Sequence, residues 1–136
     1  MKKLRLITAV TLFASAALLL VPEIGLGQAK YQDYATATAV SGAATLNASA
    51  GTITTESLAT VAGSTYTLTV TNNKVTSANC VIGASLSQGT NTAGIPDIQL
   101  VTPGAGSFTV TLYNRHASAA LNGTLKISFA IASCSG

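Results

Sequence analysis

Outside its first 29 residues the chain holds few side chains that could act as acids, bases, nucleophiles or metal ligands. They are Lys30, Asp33, Glu56, Lys74, Cys80, Asp97, Arg115, His116, Lys126 and Cys134. A Ser-His-Asp or Cys-His arrangement would have to be built on His116, the only histidine. The sequence contains no Gly-x-Ser-x-Gly nucleophile turn that would support such an arrangement. We therefore expect His116 to face solvent or to bond a backbone carbonyl.

The carboxylates do not indicate catalysis or metal binding. A glycosidase needs two carboxylates that flank one bond, but Asp33, Glu56 and Asp97 are isolated in the sequence. One histidine and two distant cysteines also lack the spacing of metal ligands. The sequence therefore predicts no catalytic residue, no metal, no cofactor and no enzymatic activity.

Two cysteines, Cys80 and Cys134, make an even pair in a small domain. In an oxidising compartment such a pair predicts a disulfide, and two independent buried thiols are the alternative. In the last predicted strand Leu125 to Ile131 alternate inward, which would put Cys134 on the opposite face. The disulfide therefore requires the strand to end or bend near Ser133.

The N-terminal segment is typical of an export signal. Lys2, Lys3 and Arg5 precede an apolar run over residues 6–21, and the small residues 27–29 follow. This order predicts a signal peptide over residues 1–29 and an extracytoplasmic protein that is secreted, on a cell surface or in a virion. If the segment is retained instead, residues 6–26 are the only expected membrane contact.

The net charge of +3 does not indicate a nucleic-acid partner. Three of the seven basic residues lie in the N-terminal segment, and the remaining four are scattered. A phosphate backbone requires clustered Lys and Arg. Charged residues make up only 8% of the chain, so copies of it repel one another weakly. We expect self-association or a place in a larger assembly.

Apolar residues alternate with threonine and serine along the rest of the chain. The strongest examples are residues 65–71 and 107–114, followed by 79–86, 97–102 and 124–132. A period of two predicts strands, and no helical period follows residue 29. The predicted fold is all-β: a single antiparallel sandwich or small barrel of about six to eight strands.

The strand pattern also divides the exported chain. We expect a flexible arm over residues 30–42 and the sandwich over residues 43–136. Tyr31 and Tyr34 make the arm a candidate for assembly, since it could add a strand to a neighbour's sheet. Candidate binding residues lie in or beside the loops 87–96 and 114–122; they are Asn91, Tyr113, Arg115 and His116.

Several segments taken in order resemble a small β module of phage and prophage structural proteins. They are residues 51–58, 65–72, 89–94, 101–103 and, as the most specific stretch, His116–Phe129 (HASAALNGTLKISF). The resemblance covers roughly residues 43–131. It implies a component of a virion or surface and brings no catalytic residues with it. The export signal departs from that pattern and suggests a secreted or membrane-tethered relative, or a virion protein that passes through a membrane.

The leading functional hypothesis is therefore a non-catalytic, exported structural module that assembles with itself or on a larger particle. The alternative is a surface-displayed module that binds a glycan or a host receptor through its loops, because loops held by a rigid sandwich often carry recognition.

Overall fold

A computed structural model describes residues 33–135 of the chain, so the predicted signal peptide and Tyr31 lie outside the described residues. The segments in which apolar and hydroxyl-bearing residues alternate form strands. The eight strands are β1 (Tyr34–Thr38), β2 (Ala43–Thr45), β3 (Ala50–Thr54), β4 (Thr65–Thr71), β5 (Val81–Gln88), β6 (Pro96–Gly104), β7 (Ser107–Asn114) and β8 (Leu125–Ser133). Between residues 33 and 135 there is no helix with the length and apolarity to cross a membrane.

The strands form two sheets of four, in the orders β1-β3-β8-β5 and β2-β4-β7-β6, which we call the first and second sheets. The predicted all-β sandwich is confirmed. It is not antiparallel throughout, because β1 pairs with β3 and β2 pairs with β4 in parallel. Parallel partners require a connection that crosses over. Here the chain crosses between the sheets after β1 and returns after β2.

The core lies between the inward faces of the two sheets. In β7, Phe108, Val110 and Leu112 are buried while the residues between them are only partly covered. Phe108 meets Phe129 of β8 across the sandwich, with ring centroids 4.9 Å apart and the planes tilted by 55°. Tilted aromatic contacts of this kind favour close packing of facing sheets.

The segment predicted as a flexible arm is instead an edge strand of the chain's own sandwich. Residues 34–38 of β1 pair one by one with residues 50–54 of β3. The sequence concealed this strand because its inward residues, Ala35 and Ala37, are small. The two strands approach closely here, since a Cβ on Gly51 of β3 would lie 2.5 Å from the Ala35 carbonyl oxygen.

Asp33 fixes the start of β1 to the connection before β3. Its carboxylate accepts hydrogen bonds from the backbone N–H and the hydroxyl of Ser49, at 2.9 and 3.1 Å. These bonds, with Lys74 Nζ 3.7 Å away, hold the pKa of Asp33 below its ordinary range. The boundary of the sandwich therefore moves from residue 43 to the beginning of β1.

Cys80 and Cys134 form the predicted disulfide. Strand β8 ends at Ser133, and the β5–β8 register shifts between Val81 and Ile82. This bulge supplies the bend that strict alternation required. The bond spans a separation of 54 residues, and a loop of that length gives roughly 3–4 kcal/mol in the chain-entropy account of disulfides.

Candidate functional site

Three connections meet at one end of the sandwich, which we call the loop end: residues 55–64, 89–95 and 115–124. Backbone hydrogen bonds join them to one another. Leu58 N–H donates to the Gly123 carbonyl and Leu121 N–H to the Thr60 carbonyl, both at 3.0 Å. A Cβ on Gly123 would lie 2.7 Å from the Thr90 carbonyl, so this contact requires glycine. The loops therefore form one packed layer.

The side chain of Asn114 joins all three connections. Its Oδ1 accepts hydrogen bonds from the backbone N–H groups of Ile95 and His116, at 3.0 and 3.2 Å. Its Nδ2 donates to the carbonyls of Thr60 and Ala119, at 3.0 and 2.8 Å. Asn114 is fully buried and uses its two donors and two acceptor sites. A saturated, buried carboxamide holds its neighbours in one arrangement.

The side chain of Asn91, a predicted binding residue, is bonded within the loop end. It is only 6% exposed. Its Nδ2 donates to the Ala93 carbonyl at 2.8 Å, and its Oδ1 accepts from the Asn122 N–H at 2.9 Å. In return Asn122 Oδ1 accepts from the N–H groups of Thr92 and Ala93. The two carboxamides thus hold the loops 89–95 and 115–124 together by hydrogen bonds. The polar atoms of the Asn91 side chain are used in these contacts.

The other three predicted binding residues lie together beside this end. In register, Tyr113 of β7 faces Asp97 of β6 on the outer face of the second sheet. Arg115 Nε donates to Asp97 Oδ2 at 2.8 Å, in an exposed ion pair that contributes at most about 1 kcal/mol.

His116 Nδ1 accepts hydrogen bonds from the N–H groups of Ser118 and Ala119, at 3.0 and 2.7 Å. His116 therefore caps its own loop, and its acceptor nitrogen is used. The prediction that it bonds a carbonyl or only faces solvent is replaced by this capping role.

Glu56 forms a second polar junction, where the chain crosses between the sheets. Its carboxylate accepts the Gly42 N–H at 2.8 Å and the Tyr66 hydroxyl at 3.0 Å. Burial, the hydrogen bond to Glu56 and the negative charge of Glu56 together raise the pKa of Tyr66 far above its ordinary value. Among residues 33–135, no three His, Cys, Asp or Glu side chains are grouped closely enough to hold a metal ion. The carboxylate therefore acts here as a tie between elements.

The outer faces of both sheets carry rows of hydroxyl groups. On the first sheet one register row runs through Thr36, Thr52, Ser128 and Ser85. Thr52 Oγ1 lies 2.6 Å from the Tyr34 hydroxyl and 2.8 Å from Ser128 Oγ, so the assembly candidate Tyr34 is part of this row. On the second sheet four exposed threonines line β4. Small hydroxyl side chains predominate on these faces, with the exposed Lys126 on the first sheet and the exposed Leu100 on the second as exceptions.

Asn114 was missed by the sequence analysis, although the sequence held a signal for it. Phe108, Val110, Leu112 and Asn114 occupy the same phase of the alternation, so the asparagine points inward. Asn72 directly follows β4 and continues the inward phase of Leu68 and Val70. It is also fully buried, donates to the Ala48 carbonyl and accepts the Lys74 N–H. An asparagine in the inward phase at a strand's end indicates a buried loop anchor.

Comparison with protein-family models, with curated proteins and with solved structures finds no match to this chain.

We expect Asn114→Leu to destabilise the fold by about 3 kcal/mol, because it leaves the N–H groups of Ile95 and His116 and the carbonyl of Ala119 without their partner. The Thr60 carbonyl keeps only its bond from the Leu121 N–H. Asn114→Asp should be similarly damaging at pH 7, since the new carboxylate would face two carbonyl oxygens. Its deficit should shrink in acid, where the protonated carboxyl can donate again. Urea unfolding at pH 7 and pH 4 measures both effects. Asn73→Leu, at an exposed position in the turn after β4, is the matched control and should change stability by less than about 0.5 kcal/mol. Equal effects at positions 73 and 114 would contradict the anchoring role.

The raised pKa of Tyr66 should appear in an alkaline titration followed by tyrosinate absorbance. We expect a tyrosinate step well above pH 10, the ordinary pKa of tyrosine. Tyr66→Phe should remove this late step, and Glu56→Gln should move it to lower pH. Because the folded pKa exceeds the unfolded one, the associated stability is full below pH 10 and declines as the pH rises further. A single transition for all tyrosines near pH 10 would contradict the Glu56–Tyr66 contact.

Proposed function

We propose that this chain is a non-catalytic structural module, exported from the cytoplasm and built into a surface layer or particle by contacts with copies of itself or with other proteins. The observation that carries the proposal is the pair of broad, hydroxyl-lined outer faces. Rows of threonine and serine stay hydrated in a free chain and bond readily to a second polar surface. Such faces suit lateral packing.

The distribution of charge supports the same proposal. Asp33 lies beside Lys74 and Asp97 beside Arg115, so these four charges largely cancel in pairs. Copies of the module therefore meet without strong like-charge repulsion, which is the force that keeps highly charged proteins apart. The resemblance to structural proteins of phages and prophages agrees with a building block, and the predicted export signal supports a location outside the cytoplasm.

The packed loop end favours a structural role over a recognition role for the loops. The carboxamides of Asn91, Asn114 and Asn122 are committed to backbone groups inside the protein, so these side chains have little left to offer a ligand. One observation favours the binding alternative: Tyr113, Asp97 and Arg115 form a polar cluster with an aromatic ring on an outer face. A glycan would be its expected ligand, because ring faces stack on sugar C–H groups.

The test is to express the full chain in a bacterial host, recover the exported protein, and measure its mass by size-exclusion chromatography with light scattering. We expect discrete oligomers, rings or filaments well above the 13.6 kDa chain, visible in negative stain. Intact-mass spectrometry of the same fraction should show loss of residues 1–29.

A protein that stays monomeric at all concentrations would contradict the structural proposal. If that monomer then bound components of a glycan array, and Tyr113→Ala abolished the signal, the binding alternative would replace it. Thr67→Ala, on the same face but on the central strand β4, is the matched control for that substitution.

A further inference from the structure

Strand β5 forms one edge of the first sheet, and β6 forms the edge of the second sheet on the same side of the sandwich. A groove of about 440 Å³ runs between them, lined by Leu86 and Gln88 of β5 and by Pro96 and Ile98 of β6, among others. An edge strand presents unpaired backbone N–H and C=O groups, which are a template for pairing with another chain. Each edge strand is therefore expected either to carry features that block the addition of another strand or to pair with a partner.

Three of the four edges carry features that discourage pairing. Strand β6 contains Pro96 and Pro103 and a register shift between Ile98 and Leu100. Proline lacks a donor and a bulge twists the edge away, so both devices block strand addition. Strands β1 and β2 are only five and three residues long. Short edges offer few bonds to a partner.

Strand β5 lacks these features. It is eight residues long and its sequence, VIGASLSQ, contains no proline and no charge. The register of β5 from Ile82 to Gln88 is continuous, and at the shift beside Val81 the extra residue, Ala132, belongs to β8. The middle of the strand is formed by the small residues Gly83, Ala84 and Ser85, which allow a second backbone to approach closely.

The hydrogen-bond phase identifies which groups of β5 are open. Gly89 N–H donates to the Thr124 carbonyl of the segment leading into β8, and residues alternate in direction along an antiparallel pair. Gly83, Ser85 and Ser87 therefore bond to β8. Ile82, Ala84 and Leu86 point their backbone groups outward. Consistent with this, the N–H of Ile131, the register partner of Ile82, is turned toward Ser49 on the other side of β8.

We propose that β5 pairs antiparallel with β5 of a second copy, with Ala84 opposite Ala84 on a two-fold axis. This register is self-complementary, because Ile82 of one copy faces Leu86 of the other and the outward backbone groups of both strands meet. Opposed side chains of an antiparallel pair lie on the same face of the sheet. The half-buried Ile82 and Leu86 of one copy are therefore covered by Leu86 and Ile82 of the other. The two first sheets then join into one sheet of eight strands. The inference rests on the proposed structural role and specifies its contact.

The uncharged edge favours a second copy as the partner. In an isologous contact the residues near the two-fold axis of one copy lie close to the same residues of the other copy, so a charge there would be repelled by its equivalent. The β5 sequence contains no charged residue, so this repulsion is absent. A two-fold contact also leaves both hydroxyl faces and both loop ends available for further contacts in a larger assembly.

Two substitutions test the contact while sparing the sandwich. Ala84→Pro removes an N–H that does not bond to β8, and proline is tolerated at such edge positions. Ser85→Lys puts a charge on the exposed face of the edge, where two copies would meet across the axis. Each should raise the dissociation constant of the full chain roughly thirtyfold or more. Ala84→Pro removes both central N–H donors of the two-fold contact, and Ser85→Lys brings two like charges together near the axis. Light scattering over a dilution series measures this change.

Asn73→Lys, in the exposed turn after β4, adds the same charge away from both hydroxyl faces and from the β5 edge. It is the matched control and should leave the β5 contact intact. Circular dichroism and thermal unfolding confirm that each variant is folded. If the native chain assembles and neither β5 variant weakens the assembly, the β5 contact is overturned while the structural role stands. If the native chain is monomeric, both fall, and the edge becomes a candidate for a strand from a different protein.

Discussion

The four hydrogen bonds of Asn114 are the interaction on which the arrangement of the loop end depends. A buried carboxamide is costly unless each donor and acceptor is used, and here all are used on backbone groups of three separate connections. The connections 55–64 and 115–124 are held in place in this way, so Leu58 and Leu121 can cover the core at the loop end. Asn72 performs the corresponding task at the opposite end, where β4 finishes. The two central strands of the second sheet each end in a buried anchor.

Anchored ends change which parts of the molecule can interact with others. In many sandwiches the loops are the adaptable part and the sheets are the scaffold. In this chain the loop end is held by side chains such as Asn91 and Asn122, and the surfaces left open are the hydroxyl-lined faces and the edge at β5. Strand geometry repeats at regular intervals of about 4.8 Å across a sheet, so these surfaces suit another sheet better than a compact ligand. This balance is the basis of the proposed structural role.

Much of the fold could be predicted from local pattern. Strands β4 and β7 follow the alternation of residues 65–71 and 107–114 to the residue, and the pairing of Cys80 with Cys134 follows from compartment and number. Strand β1 escaped because alanine and threonine alternate there without a large apolar residue. The role of Asn91 escaped for a different reason: its partner Asn122 is 31 residues away, and a local pattern carries no information about that contact. The burial of Asn114 could have been predicted, because this residue continues the inward phase of Phe108, Val110 and Leu112.

Amide hydrogen exchange at Ile95 and His116, followed by NMR on the purified protein, tests most directly the central claim that the loop end is a rigid anchor. Both N–H groups donate to Asn114 Oδ1, and both lie in connections that would exchange quickly if they were mobile. The account predicts that they exchange as slowly as the amides of β7, with an opening free energy near that of global unfolding. Rapid exchange at both residues, in a protein whose β7 amides are protected, would contradict it and would return the loops to consideration as the recognition surface.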